Sequence, residues 1–350
     1  MTATLVETEY QQESVFNDDI YDVTIIGGGP VGLFGAFYAG LRKMSVKIID
    51  SLPELGGQLS ALYPEKYVYD MPGFPRVLAG TLAQDMVEQA MRFEPAVCLG
   101  EMVLDFERNS DNSITLTTQK ATHRTKTVII ATGAGAFSPK RLNAPGVEEF
   151  ESAGVHYFVR NKSQFAGQRL LIVGGGDSAV DWAMNLEEIA ESITLIHRRD
   201  KFRCHEESLD WLMNRSRVET LLWHELRNVT GNGRVTGATI YDNRTNEDKV
   251  LNVDSVLLNI GFSADLGPIK RWGLKLEGQH IPVTQYMQVH DENGNVIDGV
   301  YATGDISTYL GKLKLIATGC GEIATAVYHA KTVVDPAARF TQIHSSNMEL

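Results

Sequence analysis

One device occurs twice in this chain: a short apolar strand, a glycine-rich turn, a helix and a second apolar strand. The first copy opens with Asp22-Val23-Thr24-Ile25-Ile26, β-branched and apolar, as a buried parallel strand must be. Gly27-Gly28-Gly29-Pro30-Val31-Gly32 follows, then Leu33 to Arg42, rich in Ala, Leu and aromatics, then Ser45-Val46-Lys47-Ile48-Ile49-Asp50. Gly27, Gly29 and Gly32 supply the GxGxxG spacing. The first permits the tight turn, the second lets a pyrophosphate approach the backbone, and the third lets the helix pack close to the strand. The helix start offers unpaired N–H groups to the anion. Asp50 ends the second strand, where a carboxylate can accept hydrogen bonds from both hydroxyls of an adenosine ribose. Gly27, Gly29, Pro30, Gly32 and Asp50 are therefore the candidate residues of a first dinucleotide site.

The second copy runs Arg169-Leu170-Leu171-Ile172-Val173, then Gly174-Gly175-Gly176-Asp177-Ser178-Ala179, a helix expected from Asp181 to Ala190, and the strand Ile193 to Ile196. It ends in His197-Arg198-Arg199, with Arg203 close behind and no carboxylate at the ribose position. A carboxylate there would repel a 2′-phosphate, whereas guanidinium groups bind one through paired, charge-assisted hydrogen bonds. The second site, with candidates Gly174, Gly176, Asp177, Ser178, His197, Arg198, Arg199 and Arg203, is accordingly expected to take NADPH. A solvated basic loop is the alternative for the arginines. Two dinucleotide folds in one chain suggest one resident and one exchanging cofactor. Flavin is the natural resident, as FAD, because it accepts hydride from nicotinamide.

Length and charge fit this organisation. A chain of 350 residues, 43% hydrophobic and 22% charged, suits two compact globular domains. Of the formal charge of −12, half comes from Glu7, Glu9, Glu13, Asp18, Asp19 and Asp22, in a stretch without Lys or Arg. Residues 1–19 are thus expected to be a disordered acidic tail, and without a basic face nucleic acid is not an expected partner. No apolar run approaches the roughly 18 residues of a membrane span, and no secretory signal is evident, so a cytoplasmic location is expected. Cys98, Cys204 and Cys320 are far apart, which argues against a dithiol centre or a structural zinc site.

Three more glycine signals complete the pattern. Val128 to Gly133 and Ser255 to Gly261 are strands running into turns, read as the two crossings between domains. Gly299 to Asp305 is the third; Asp305 could bond the ribityl or phosphate region of a flavin, or serve as N-cap to a helix expected over Gly319–Val334. Val218–Leu226, Val235–Tyr241 and Lys249–Val253 are candidate antiparallel strands, with turn signals at Asn232-Gly233 and Asp242-Asn243.

These positions resemble the thioredoxin-reductase-like ferredoxin/flavodoxin–NADP+ reductases over essentially residues 20–350. The motifs are GGGPVG, GGQLSALYPEKYVYD, ATGAGAFSP, GGGDSAVDW, HRRDKFR and YATGDISTYLGKLKLIATGCGEIATAV. The CxxC of thioredoxin reductases is missing from Val155 to Val159, which removes a disulfide relay. The resemblance implies an α/β fold of two Rossmann-like three-layer dinucleotide-binding domains, of the glutathione/thioredoxin reductase type. FAD would occupy residues 20–134 and 263–335, and NADPH residues 135–262. Residues 336–350 would form an extension over the flavin. It further implies that Gly56, Gly57 and Gln58 line the flavin pocket and that Tyr63 stacks on one ring face, with a core aromatic as the alternative. Ile316 would place backbone N–H groups near the ring carbonyl. Asp70 would be a ligand or a turn residue. His344 would cover the other ring face, and a homodimer is the expected assembly.

Hydride transfer needs positioned rings and no acid–base side chain. Ferredoxin or flavodoxin is the implied partner, and Lys66, Arg76, Lys312 and Lys314 are candidates for a basic landing surface, or simply solvated cations. Two other readings remain open: an NADPH-dependent reductase of a separate thiol protein, and a flavin redox sensor without turnover.

Overall fold

The computed structural model describes residues 19–133 and 135–338. The chain divides into two compact units: residues 1–60, 68–136 and 265–350 form one, and residues 61–67 with 137–264 form the other. Among the described residues the α-helices are α1 (Pro30–Leu41), α2 (Gln58–Ala61), α3 (Ala79–Met91), α4 (Asp177–Leu186), α5 (Glu206–Asn214) and α6 (Ile316–Val334). Residues 61–67 group with the second unit, although the sequence reading had them in the first.

The first unit is built on an eight-stranded sheet. Its parallel centre runs Val296–Ala302, Thr122–Ile130, Tyr21–Ile26, Val46–Asp50 and Ala96–Leu99 in spatial order. Strands Val103–Arg108 and Ile114–Thr118 extend from Thr122–Ile130 as an antiparallel meander. Ile25, Ile48, Ile49, Ile129 and Ile130 are fully buried, which explains why these strands read as continuous apolar runs rather than alternating ones. Helices α1 and α6 cross closely: a Cβ on Gly35 would lie 2.3 Å from Ile323 Cδ1, so a side chain there would force them apart.

In the second unit a parallel sheet runs Val155–His156, Ser255–Asn259, Arg169–Gly174, Ser192–His197 and Glu219–Leu222. Buried Trp182, Leu186, Leu195 and Leu257 join α4 to this sheet, each contributing roughly 1.5–3 kcal/mol through burial. The antiparallel sheet is His224–Gly231, Val235–Asp242 and Asp248–Leu251. Two expectations are corrected. Val218–Leu226 is not one antiparallel strand. Trp223 takes φ +64°, so Glu219–Leu222 joins the parallel sheet while the meander starts at His224. Helix α4 spans Asp177–Leu186 rather than Asp181–Ala190, because it starts directly on the glycine turn.

Candidate nucleotide sites

At the first turn Gly27 takes φ +114°, and a Cβ on it would lie 2.4 Å from the Ala131 carbonyl oxygen. Only glycine fits between the ends of the two central strands. Gly57, at φ +58°, approaches Gly29 so closely that a Cβ would lie 2.8 Å from the Gly29 Cα. The two glycines thus form a side-chain-free cradle in front of α1. Helix α1 begins with Pro30 after Gly29 and has no side-chain cap, so its first N–H groups remain available to an anion. The hydroxyls of Thr132 and Thr303, beyond neighbouring strands, are buried without a hydrogen-bond partner among the described residues. Orphaned polar groups at the carboxyl ends of parallel strands fit a crevice made for a polar ligand. Gln58 heads α2, its Nε2 lying 3.5 Å from where a Cβ on Gly133 would be.

Asp50 is 8% exposed and already engaged. The Gly28 N–H donates to its Oδ2 at 2.5 Å and the Leu52 N–H to its Oδ1 at 2.8 Å. Burial pushes its pKa up, opposed by these two bonds. Each oxygen keeps lone-pair capacity for a hydroxyl donor, so the carboxylate is oriented by the turn it serves.

Asp305 lies in a 3-10 turn, Gly304–Ile306, and its carboxylate makes no hydrogen bond among the described residues. The N-cap alternative falls: α6 begins at Ile316, three residues earlier than expected, and its N-cap is Leu315, ten residues beyond Asp305. The backbone N–H of Ile316 therefore stands in an uncapped first turn.

The second turn repeats the first with different side chains. A Cβ on Gly174 would lie 2.4 Å from the Asn259 carbonyl oxygen and 2.8 Å from the Ala179 Cβ. Helix α4 follows Gly176 without a side-chain cap, with Asp177 and Ser178 exposed in its first turn. Asp177 Oδ1 accepts the His205 N–H at 3.0 Å, and the Arg203 N–H donates to the Gly175 carbonyl at 2.6 Å. The arginine loop is thereby tied to the glycine turn by its backbone. His197 stacks on Phe202 at 5.2 Å and donates from Nε2 to the Lys201 carbonyl at 3.1 Å. Burial first, then the charges of Arg198, Arg199 and Arg203, hold its pKa below the usual imidazole value. Arg198, Arg199 and Arg203 are exposed, and none is ion-paired among the described residues.

Tyr63 is placed as the core-aromatic alternative describes. It packs, partly buried, on the second unit's cluster around Phe165 and Trp182. Its neighbours anchor the same segment: Lys66 pairs with Asp181, and Glu65 accepts the Lys162 N–H at 2.6 Å. Lys66 is thus not a solvated cation. Lys312 is corrected more strongly, being buried in an ion pair with Glu322. Lys314 donates to His280 Nε2 at 2.8 Å, while Arg76 and Asp70 are exposed. His344 and the C-terminal extension from Arg339 onward lie outside the described residues, as does the acidic tail up to Asp18.

Sequence spacing also missed a buried polar chain in the first unit. Lys47 Nζ donates to His123 Nδ1 at 3.3 Å, and His123 Nε2 to Glu101 Oε2 at 3.0 Å. Cys98, Glu101 and His123 lie close enough to share an ion, but both ring nitrogens of His123 are already engaged, by Lys47 and by Glu101. Nothing in the spacing of positions 47, 98, 101 and 123 announces it, because three strands bring them together.

Two glycine cradles, each ending a parallel strand and opening an uncapped helix, define a protein built to hold two nucleotides. The chain belongs to the pyridine nucleotide-disulphide oxidoreductase family, which matches residues 21–330. It is 50% identical over 332 residues to a Bacillus thuringiensis (strain Al Hakam) protein named ferredoxin–NADP reductase 2, covering 95% of this chain and 98% of that one. The ferredoxin–NADP reductase of Bacillus cereus (strain ZK / E33L) matches with the same identity and coverage. Among solved structures, T. acidophilum thioredoxin reductase superposes with a TM-score of 0.76 at 25% identity, over 89% of this chain and 98% of that one. Lactococcus lactis thioredoxin reductase gives 0.76 at 26%, over 90% and 99%.

Proposed function

We propose that this chain is an FAD-dependent ferredoxin–NADP+ reductase, with FAD in the first unit and NADPH in the second. The observation that carries the assignment is the exchange of Asp50 for His197 at matching places in the two turns. The parallel register pairs Ile26 with Ile49 in one unit and Val173 with Ile196 in the other, so the next residues, Asp50 and His197, are counterparts. Asp50 offers acceptors to a ribose diol. His197 leaves that place without a carboxylate, and the three exposed guanidiniums that follow it offer donors to a 2′-phosphate instead.

Bound FAD supplies a centre that takes hydride from NADPH and passes electrons singly to a protein acceptor. The residues do the placing. The Gly29–Gly57 cradle and the start of α1 receive the pyrophosphate, with Gly27, Pro30 and Gly32 shaping the turn. Gln58, Asp305 and the Ile316 N–H face the flavin end. Gly174, Gly176 and the start of α4, with Asp177 and Ser178, receive the second pyrophosphate, and Arg198, Arg199 and Arg203 clamp the 2′-phosphate. No side chain needs to carry a proton.

An internal disulfide relay has no support: all three cysteines are free and burial raises each thiol's pKa, Cys320 to about 11. We further propose a cytoplasmic homodimer in which His344 covers one flavin face. Free thiols are in keeping with a reducing compartment. No helix among the described residues is long and apolar enough to cross a membrane.

The test is steady-state reduction of ferredoxin, flavodoxin and a disulfide protein, with NADPH and NADH compared side by side. Fast, NADPH-preferring reduction of ferredoxin is expected. A colourless protein that takes up no FAD would overturn the assignment. Preferential turnover of the disulfide protein would favour a thiol reductase, and slow turnover with every acceptor a redox sensor.

A further inference from the structure

Glu322 is a carboxylate in the middle of an apolar helix, 4% exposed, in a position where a small or apolar residue would be the simpler choice. Its Oε2 accepts the Gly304 N–H at 2.8 Å and lies 3.4 Å from Ser307 Oγ. Its Oε1 accepts the Tyr309 hydroxyl at 2.7 Å and the Lys312 ammonium. Lys312 in turn donates to the Gly304 carbonyl at 3.0 Å, and Ser307 Oγ to the same carbonyl at 2.9 Å. Both backbone polar groups of Gly304 are therefore held, directly or through one residue, by a single buried carboxylate.

Gly304 is the residue before Asp305 and takes φ +73°. It packs against the start of α1: a Cβ on it would lie 3.4 Å from Val31 Cγ2, and one on Gly319 of α6 would lie 2.4 Å from the same atom. The turn carrying Asp305 is thus lodged between the glycine motif of the first site and α6, and Glu322 fixes its depth. A buried ion pair contributes little net stability when apolar residues could fill the space, so stability alone does not account for it. Holding Gly304 in one geometry does.

We propose that Glu322 is a positioning residue of the flavin site, acting through the Gly304 N–H to aim Asp305. This rests on the FAD assignment above. The carboxylate touches no cofactor itself; it orients the turn that does, as supporting groups commonly orient a binding constellation.

Two double variants isolate the claimed contact. Glu322→Gln with Lys312→Met removes the ion pair but keeps an acceptor for Gly304. Glu322→Met with Lys312→Met removes both. Flavin is stripped, and FAD rebinding is followed by fluorescence quenching, with the visible spectrum and the flavin midpoint potential of each reconstituted protein. The Gln double variant is expected to bind FAD within about threefold of the wild type. The Met double variant should bind about tenfold or more weakly, with an altered flavin spectrum. Equal affinities for the two, whether both strong or both weak, or the reverse order, overturn the proposal. Should the doubles not fold, Glu322→Asp keeps the charge but withdraws the acceptor by one methylene. Weakened FAD binding is again expected, and wild-type affinity overturns the proposal. If the wild-type apoprotein itself takes up no FAD, it is the function assignment that fails.

Discussion

The Asp50 carboxylate holds the Gly28 N–H at 2.5 Å, and a Cβ on Gly28 would lie 3.1 Å from the same carboxylate oxygen. The matching pair in the second unit is His197 and Gly175, where a Cβ would lie 2.0 Å from His197 Nδ1. In both turns the middle glycine leaves room for the residue that ends the second strand, and in the first turn also for Leu55, whose Cδ2 a Cβ on Gly28 would meet at 2.5 Å. The glycine is kept for that neighbour as much as for a phosphate.

This makes Gly175→Ala a sharp test. The added methyl has no space beside the imidazole, so a loss of roughly 1–3 kcal/mol is expected. Adding His197→Ala should recover more than half of it. A double-mutant cycle on urea unfolding measures the coupling; strictly additive effects would show that the ring does not set the limit.

Arg198→Ala should raise the KM for NADPH roughly 10- to 100-fold, the worth of one charge-assisted hydrogen bond, and leave NADH kinetics nearly unchanged. The readout is the ratio of kcat/KM for the two coenzymes. An unaltered ratio would remove the 2′-phosphate role from this residue.

His123 carries a pH prediction. Burial holds its pKa below 6.5, with Lys47 acting in the same direction and Glu101 opposing. The folded-state pKa is depressed, so below about pH 6.5 the unfolded chain binds more protons and stability falls as pH falls. His123→Gln can still accept from Lys47 and donate to Glu101 but does not titrate. Urea midpoints compared at pH 7 and about pH 5.5 should therefore drop less in the variant; identical drops would refute the assignment.

Asp254 acts at a lower pH. Arg169 donates to it from its side chain and its backbone, pulling its pKa down to about 2. Its contribution is fully present above the unfolded value near 3.9 and is lost as pH falls through about 2. Both side chains are over a third exposed, so Asp254→Asn should cost on the order of 1 kcal/mol or less at pH 7. The difference from wild type should shrink toward pH 2. A difference that persists there would mean the Arg169 contact is not ionic.

The two strand–turn–helix units were legible because their signals are local. Gly27, Gly29 and Gly32, or Gly174 and Gly176, lie within a few residues of the strands they end, and Asp50 and His197 follow at the next strand. Backbone sterics and apolar runs write such features into short stretches of chain. Other readings failed where the deciding partner was remote. Lys312 looked like a surface cation until α6 brought Glu322 to it, and Lys66 until Asp181 did. Val218–Leu226 read as one strand because nothing in its composition marks Trp223 as the break.

The sequence by itself determined the fold class, the positions of both nucleotide turns and the difference in charge between them. Each of these depends on spacing along one segment. Only the tertiary structure decided that Asp50 is oriented by Gly28 and Leu52, and that Glu322 holds Gly304. It alone also placed Tyr63 on the core of the second unit. Hydrogen bonds and burial depend on distance in space, and folding brings together groups that no interval along the chain relates.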